Sequence, residues 1–393
     1  MQFSSLVGRI SGAGADAWNI HAEARAAQAL GKDVILLSVG DPDLETPAAV
    51  VERAVDSLRA GDTHYTPITG RPALREAIAA LHRGRCGQDV DAENVIFLAG
   101  AQNALFAASL CLAGPGDEVI ALEPLYPTYP ATLEASGASL VRVPASGAFR
   151  PDLAALEGRI TPRTRAIFFA TPNNPSGVIM SDADLAVIGA LARRHSLWIV
   201  VDEVYAGLAP TGRVPSLAAA LPEQVVTISS LSKSHSMPGW RAGWIVGPKT
   251  LVRHVEALSL CMLYGLPGFI QEAALTAIGV AAAAEARMRE YCAARCALLV
   301  AGLDGIPGLS CAVPDAGMFM LVNVEATGLS GHEFMTRLYH SEGVSVIDGG
   351  AFGSDTRGCV RVCFAADMTV LRDACARIRR FVLSLAAAGV VNG

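Results

Sequence analysis

Between residues 95 and 229, short apolar runs alternate with amphipathic or alanine-rich stretches. No other feature of the chain restricts its fold as much. The apolar runs fall at residues 95–98, 118–122, 139–143, 166–170, 197–201 and 225–229, and helical patterns at 101–112, 128–136 and 183–195 separate several of them. Strands joined through helices return parallel to one another. The pattern therefore predicts an α/β fold, a mainly parallel sheet covered by helices on both faces. Several runs end in polar or glycine-rich loops, where an open α/β sheet binds ligand.

After Arg241 the pattern changes. Alanine-rich helical sequence runs from about residue 251 to 303, followed by short strand-like runs at 318–324, 344–347 and 359–363 and a last helix from about 371. This predicts a second, smaller α+β domain. With 393 residues, the chain exceeds what one core usually serves. The expected division is a large domain over 45–290 and a small domain made of 1–44 and 291–393.

Composition excludes several classes. The chain is 52% apolar and 17% charged, which indicates a globular protein, and its net charge of -6 without a long basic run argues against nucleic acid as a partner. No apolar stretch reaches the ~18 uncharged residues of a membrane span. Met1-Gln2-Phe3-Ser4-Ser5 does not read as a signal peptide, so a reducing, cytoplasmic setting is expected. The nine cysteines are scattered, and neither CxxC nor HxxxH occurs. Buried free thiols and no metal site are the expectation.

Chemistry-bearing residues collect at the ends of the predicted strands. Lys233 lies in Ser230-Leu231-Ser232-Lys233, shortly before Gly239-Trp240-Arg241-Ala242-Gly243. Such surroundings suit an amine that forms a Schiff base with an aldehyde cofactor, and hydroxyls with an arginine suit a phosphate. The plain alternative is a solvated loop lysine. Gly100-Ala101-Gln102 opens a helix after a strand, a natural anion site and also a common turn. Tyr126, in Glu123-Pro124-Leu125-Tyr126, either stacks on a flat ring or simply packs. Asn174 sits in the Pro/Gly turn Thr171-Pro172-Asn173-Asn174-Pro175-Ser176-Gly177, where its amide could donate to a ring oxygen. Asp202 ends the apolar run Val200-Val201, where a lone carboxylate is costly unless paired. A protonated pyridine nitrogen or a helix N-cap would each satisfy it. Tyr205 follows three residues on. Arg361, within Val360-Arg361-Val362, fits a carboxylate bidentately or a structural ion pair. Tyr65 precedes a helix that starts near Pro72 and otherwise reads as turn chemistry.

Together and in this order, these motifs resemble those of the class I aminotransferases of the aspartate aminotransferase-like group, pyridoxal 5'-phosphate (PLP) enzymes of fold type I. The resemblance runs from Gly40-Asp41-Pro42-Asp43 to Arg361. It implies a seven-stranded, mainly parallel sheet in the large domain. It also implies Lys233 as the Schiff-base lysine, with Asp202 at the pyridine nitrogen and Tyr205 and Asn174 at the ring O3′. Tyr126 would stack on the ring. Gly100, Ala101, Gln102, Ser230 and Arg241 would hold the phosphate. Gly40, Asn174 and Arg361 would bind the substrate, Arg361 through its α-carboxylate. Tyr65 would reach the phosphate of a second subunit, which implies a homodimer with shared active sites and amino acid and 2-oxo acid substrates exchanged in ping-pong fashion.

The side-chain pocket is less legible. Gln102 stands where some aspartate-specific relatives carry lysine. Ala17-Trp18-Asn19-Ile20-His21, Ser232-Lys233-Ser234-His235 and Leu260-Cys261-Met262-Leu263-Tyr264-Gly265 are more similar to the branch of the family that transfers the amino group of arginine to pyruvate. A basic or neutral donor with pyruvate as acceptor is therefore expected, and a guanidinium calls for a carboxylate, with Asp16 and Glu123 nearest by motif. Rival readings on the same fold are a lyase, decarboxylase, racemase or oxidase, a transaminase for aspartate or aromatic amino acids, or a regulator's sensor domain. The last would need an N-terminal DNA-binding module.

Overall fold

The computed structural model describes residues 1–10 and 17–387. Seven strands form its larger sheet: β1 Val95–Ala99, β2 Glu118–Leu122, β3 Ser139–Val143, β4 Thr164–Ala170, β5 Trp198–Asp202, β6 Val225–Ser230 and β7 Ala242–Val246. Across the sheet they lie in the order β1-β7-β6-β5-β4-β2-β3. The neighbours from β6 to β3 pair in parallel, and β7 runs antiparallel to both β6 and β1. The six periodic runs correspond to β1 through β6. Periodicity does not disclose β7, which is buried along its length and begins directly after Arg241. An antiparallel strand needs no crossover helix, so it slots between β1 and β6 without the helix that marks the others.

Successive side chains of a strand point to opposite faces, and the two faces of this sheet carry separate cores. Ile96, Phe168, Val200 and Ile228 pack against the helix Gly100–Leu112, whereas Ile167, Phe169, Ile199 and Val201 pack against Asp182–His195. The latter helix is fully signalled in the sequence. Ser181 and Asp184 form a capping box, acidic residues occupy the first turn, and Arg193, Arg194 and His195 occupy the last.

The alanine-rich stretch resolves into three helices, Lys249–Met262, Gly268–Gly279 and Ala281–Leu303, the second starting just after Pro267. A second sheet is antiparallel: β8 Ser310–Ala312, β9 Phe319–Asn323, β10 Ile347–Asp348 and β11 Cys359–Cys363, in the order β8-β9-β11-β10. Its core includes Leu299, Leu338 and Val382 from three helices and takes in Ile20, Ala24, Ile35 and Leu37 from the N-terminal segment. Ile35–Leu36 pairs in parallel with Val344–Ser345. Among the described residues no single helix is long and apolar enough to cross a membrane.

β1, β2, β4, β5 and β6 share a direction, so their carboxyl ends lie along one edge. Gly100, Tyr126, Asn174, Asp202 and Lys233 all follow or end these strands. The sheet direction thereby brings residues more than a hundred positions apart to one place.

Candidate active site

The loops at this edge, the run around Gly40 and strand β11 enclose a cavity of about 300 Å³. Its wall includes Gly40, Ala101, Gln102, Tyr126, Asn174 and Asp202, together with Tyr205, Ser230, Lys233, Arg241 and Arg361. Of the site residues that the family resemblance implies, two lie outside this wall. Gly100 sits behind it, against Arg241. Tyr65 is 88% exposed and packs its ring 5.1 Å from that of Tyr264, away from this chain's own cavity.

At one end of the cavity the helix Gly100–Leu112 begins, and its first N–H groups have no acceptor within the helix. The Arg241 guanidinium closes over this turn, donating to the Ala99 carbonyl at 3.1 Å and the Pro238 carbonyl at 2.8 Å. Gly100 has φ +81, and a Cβ there would lie 2.5 Å from Arg241 Nη2. On β7, a Cβ at Gly243 would lie 2.5 Å from the Gly100 carbonyl carbon and 2.6 Å from the Ala101 nitrogen. Two bare glycines thus let strand, helix start and guanidinium meet. Ser230 and Ser232 complete this end of the wall. The Gln102 amide is held from both sides: Thr128 donates to its Oε1 at 2.9 Å, and its Nε2 donates to Thr132 at 2.6 Å.

In the middle stand Lys233 and Asp202. The Lys233 amine donates to the Gly40 carbonyl at 2.5 Å, and burial holds its pKa below the ordinary lysine value. A desolvated amine of this kind favours its neutral, nucleophilic form. That sets it apart from a solvated loop lysine. Asp202 is buried, which pushes its carboxyl up. Tyr129 donates to its Oδ2 at 2.6 Å and the Val204 N–H to its Oδ1 at 3.1 Å, two bonds that favour the charged form. Its local contact is therefore a turn bond to Val204, made while the carboxylate also faces the cavity.

At the far end, Arg361 is 1% exposed. Its Nη1 donates to Asn174 Oδ1 at 2.9 Å and its Nη2 to the Ser38 carbonyl. The guanidinium carbon lies 4.2 Å from the Phe319 ring centre, and the Nε has no partner among the described residues. Among the described residues no carboxylate pairs with it, so the structural ion pair that the sequence left open is absent. Asn174 bridges the two ends of this region, its Nδ2 donating to the Tyr205 hydroxyl at 3.4 Å. Tyr205 is buried edge-on against Phe319, and burial raises its phenol well above the usual value.

Sequence reasoning did not single out Tyr129, whose ring packs edge-on against Tyr126 and Phe168 while its hydroxyl reaches Asp202. The Tyr126-x-x-Tyr129 spacing was the only signal. Trp18, quoted only within a resembling stretch, stands in the wall with its ring 6.3 Å from Tyr126. Glu123 is not in the wall and is paired with Arg142 at 2.9 Å. Asp16 lies outside the described residues.

These residues fit a phosphorylated pyridine aldehyde. The glycine cradle beneath Arg241 has room only because no Cβ fills it, and it offers free N–H groups and a cation to a phosphate. Asp202 is a buried carboxylate with no cation bonded to it among the described residues, which suits a protonated ring nitrogen. Among the described residues, Arg361 keeps a buried N–H unpaired.

Comparison with known proteins gives a consistent picture. The family profile described as aminotransferase class I and II matches residues 32–378. The chain is 46% identical to the arginine–pyruvate transaminase AruH of Pseudomonas aeruginosa, over 96% of this chain and 97% of that one. It is 32% identical to an aspartate aminotransferase of Geobacillus stearothermophilus, covering 92% and 94% of the two chains. Among solved structures, the aspartate aminotransferase from Thermus thermophilus with maleate superposes with a TM-score of 0.92 at 31% identity, covering 97% of this chain and all of that one.

Proposed function

Because the chain belongs to the class I and II aminotransferases, which depend on PLP, we propose that it moves the amino group of a basic or neutral L-amino acid, arginine first among them, to pyruvate. One observation carries the chemistry. An amine, a carboxylate and a guanidinium (Lys233, Asp202 and Arg361) wall a single cavity, and among the described residues none of them is spent in an ion pair. The choice of donor and acceptor is supported by the similarity to a relative named for arginine and pyruvate. Trp18 also lines the cavity, and an aromatic ring there suits a guanidinium.

Gly100, Ala101, Gln102, Ser230 and Arg241 would hold the cofactor's phosphate. Tyr126 would lie against its ring, Tyr205 and Asn174 would meet its O3′, and Asp202 its nitrogen. When bound, PLP supplies an electron sink for the charge left on the substrate Cα. Arg361, backed by Asn174, grips the α-carboxylate and so fixes which Cα bond faces the ring. Gly40 borders the same site. Lys233 would be the residue that holds the cofactor's aldehyde, and its amine, whose pKa burial lowers, would take and return the Cα proton. The amino donor and the oxo acid use the same site in turn, giving ping-pong kinetics.

A homodimer with shared sites belongs to the same proposal. Tyr65 is exposed beside Tyr264, and Val51, Val55 and Leu58 present an apolar stripe on the helix Ala48–Arg59 just before it. Exposed apolar surface of this kind suits an interface. The expected domain division, 45–290 against 1–44 with 291–393, is retained as part of this reading. All nine cysteines are free, but only Cys292, Cys359, Cys363 and Cys375 are buried and Cys261 is exposed, against the expectation of buried thiols; a cytoplasmic setting is kept as part of the same proposal.

The test is a screen of the protein amino acids and ornithine with the holoenzyme, against pyruvate and 2-oxoglutarate. Alanine formed from arginine and pyruvate is the expected product. Ammonia or peroxide without alanine would mean a lyase or an oxidase. Inert arginine beside a fast alternative donor would refute the arginine assignment.

A further inference from the structure

Arg361 donates its second hydrogen bond to a backbone carbonyl, that of Ser38. The Ser38 side chain is fully buried and anchored twice. Ser345 Oγ donates to Ser38 Oγ at 3.0 Å, and His21 Nδ1 lies 2.8 Å from the same oxygen. Ser345 is itself fully buried and comes from the strand that pairs with Ile35–Leu36, where the Leu37 N–H donates to its carbonyl at 2.8 Å. His21 comes from the helix Asn19–Ala29, with its ring edge-on to Trp18 at 6.1 Å. Two residues further along, Gly40 gives its carbonyl to Lys233. The run 38–40 therefore lends one carbonyl to each of two basic side chains in the site, Arg361 and Lys233, and a side chain pins it at one end.

We propose that His21, acting through Ser38, is a positioning residue for Arg361 and so sets how tightly the site grips a substrate carboxylate. The imidazole does not itself line the cavity; its ring stands edge-on behind Trp18, which does. Burial, then the nearby Arg25 and Arg361, hold its pKa below the ordinary histidine value, so it serves as a neutral partner at physiological pH. With one ring nitrogen it fixes the hydroxyl of a residue whose carbonyl is one of two protein acceptors on Arg361. Losing that bond frees the carbonyl to move and loosens the guanidinium fork. A looser fork weakens substrate and transition state alike, which raises KM and leaves kcat in place. This inference rests on the reading that Arg361 binds the carboxylate.

The experiment is a double-mutant cycle on the holoenzyme. His21→Phe keeps the ring packed on Trp18 and removes the hydrogen bond. His21→Asn restores a polar atom near the Nδ1 position. Arg361→Lys supplies the second axis of the cycle. His21→Phe is expected to raise KM for both the amino donor and the oxo acid by about fivefold, with kcat held within about twofold. His21→Asn should recover most of this, and in the Arg361→Lys background His21→Phe should add little. If His21→Phe does not fold, Ser345→Ala removes the other anchor and is run through the same cycle. Unchanged KM in His21→Phe, or an equal increase in both Arg361 backgrounds, would overturn the role of His21 while leaving Arg361 in place. Unchanged KM for both substrates in Arg361→Lys would instead remove the reading on which the proposal rests.

Discussion

Tyr129 carries the clearest residue-scale consequence, because its hydroxyl is the only side-chain donor to Asp202 among the described residues. Burial pushes the Asp202 carboxyl up, and this bond opposes it. Tyr129→Phe is expected to lower kcat/KM about tenfold, the value of one hydrogen bond to a charged group. It should also move the acid limb of the pH–rate profile to higher pH, because the carboxylate would ionise later. A profile that keeps its acid limb in place would show that Asp202 does not depend on Tyr129. The next residue, Glu203, makes a stability prediction. Burial pushes its carboxyl from 4.5 up to about 7, and the Arg85 guanidinium offsets this only in part. The folded chain then holds this proton more tightly than the unfolded chain does. Stability is full below the unfolded pKa and is lost as pH rises toward and through 7, by about 2–3 kcal/mol. Glu203→Gln should therefore gain Tm over the parent at pH 8 and not at pH 5, as read by thermal melts. A gap that does not change with pH would contradict it. Asp202 was legible because a carboxylate ending an apolar strand needs a partner. Tyr129 was not, because a tyrosine in a packed turn looks the same in sequence whether or not its hydroxyl has a task.

Among elements, β7 and the helix Gly100–Leu112 make the phosphate end of the site by close approach. Gly243 is the contact point, and the atoms that a Cβ would strike there are backbone, which cannot swing aside. Gly243→Ala should push the helix start away from Arg241, costing about 2 kcal/mol of stability and weakening PLP binding about tenfold or more. Absorbance titration of the apoenzyme with PLP measures the affinity, and wild-type binding in a folded variant would refute the cradle. The helix was visible in the sequence as a glycine turn after a strand. β7 was not, since five buried residues without a crossover helix carry no period to read. Its insertion between β1 and β6 is nonetheless what presses Gly243 onto Gly100.

At the scale of the whole molecule, the site is proposed to be completed by a second copy of the chain. Val55 lies at the centre of the exposed stripe on Ala48–Arg59, with Tyr65 shortly after it. Val55→Asp is expected to give a monomer by sedimentation equilibrium and, with it, weaker retention of PLP, because Tyr65 could no longer reach a neighbour's site. A monomer that holds PLP as tightly as the parent would count against shared sites. By itself, the sequence determined the fold class, the strand-end positions of Lys233, Asp202 and Asn174, and the family to which they belong. Those signals are local, since strand periodicity, turn residues and polar groups in apolar runs are written within a few neighbouring positions. Tertiary structure alone decided that Arg361 stands without a carboxylate among the described residues, that Tyr129 holds Asp202, and that Ser38 ties His21 to Arg361. Each of those depends on contacts between segments far apart in the chain, and close packing rather than sequence spacing fixes which atoms meet.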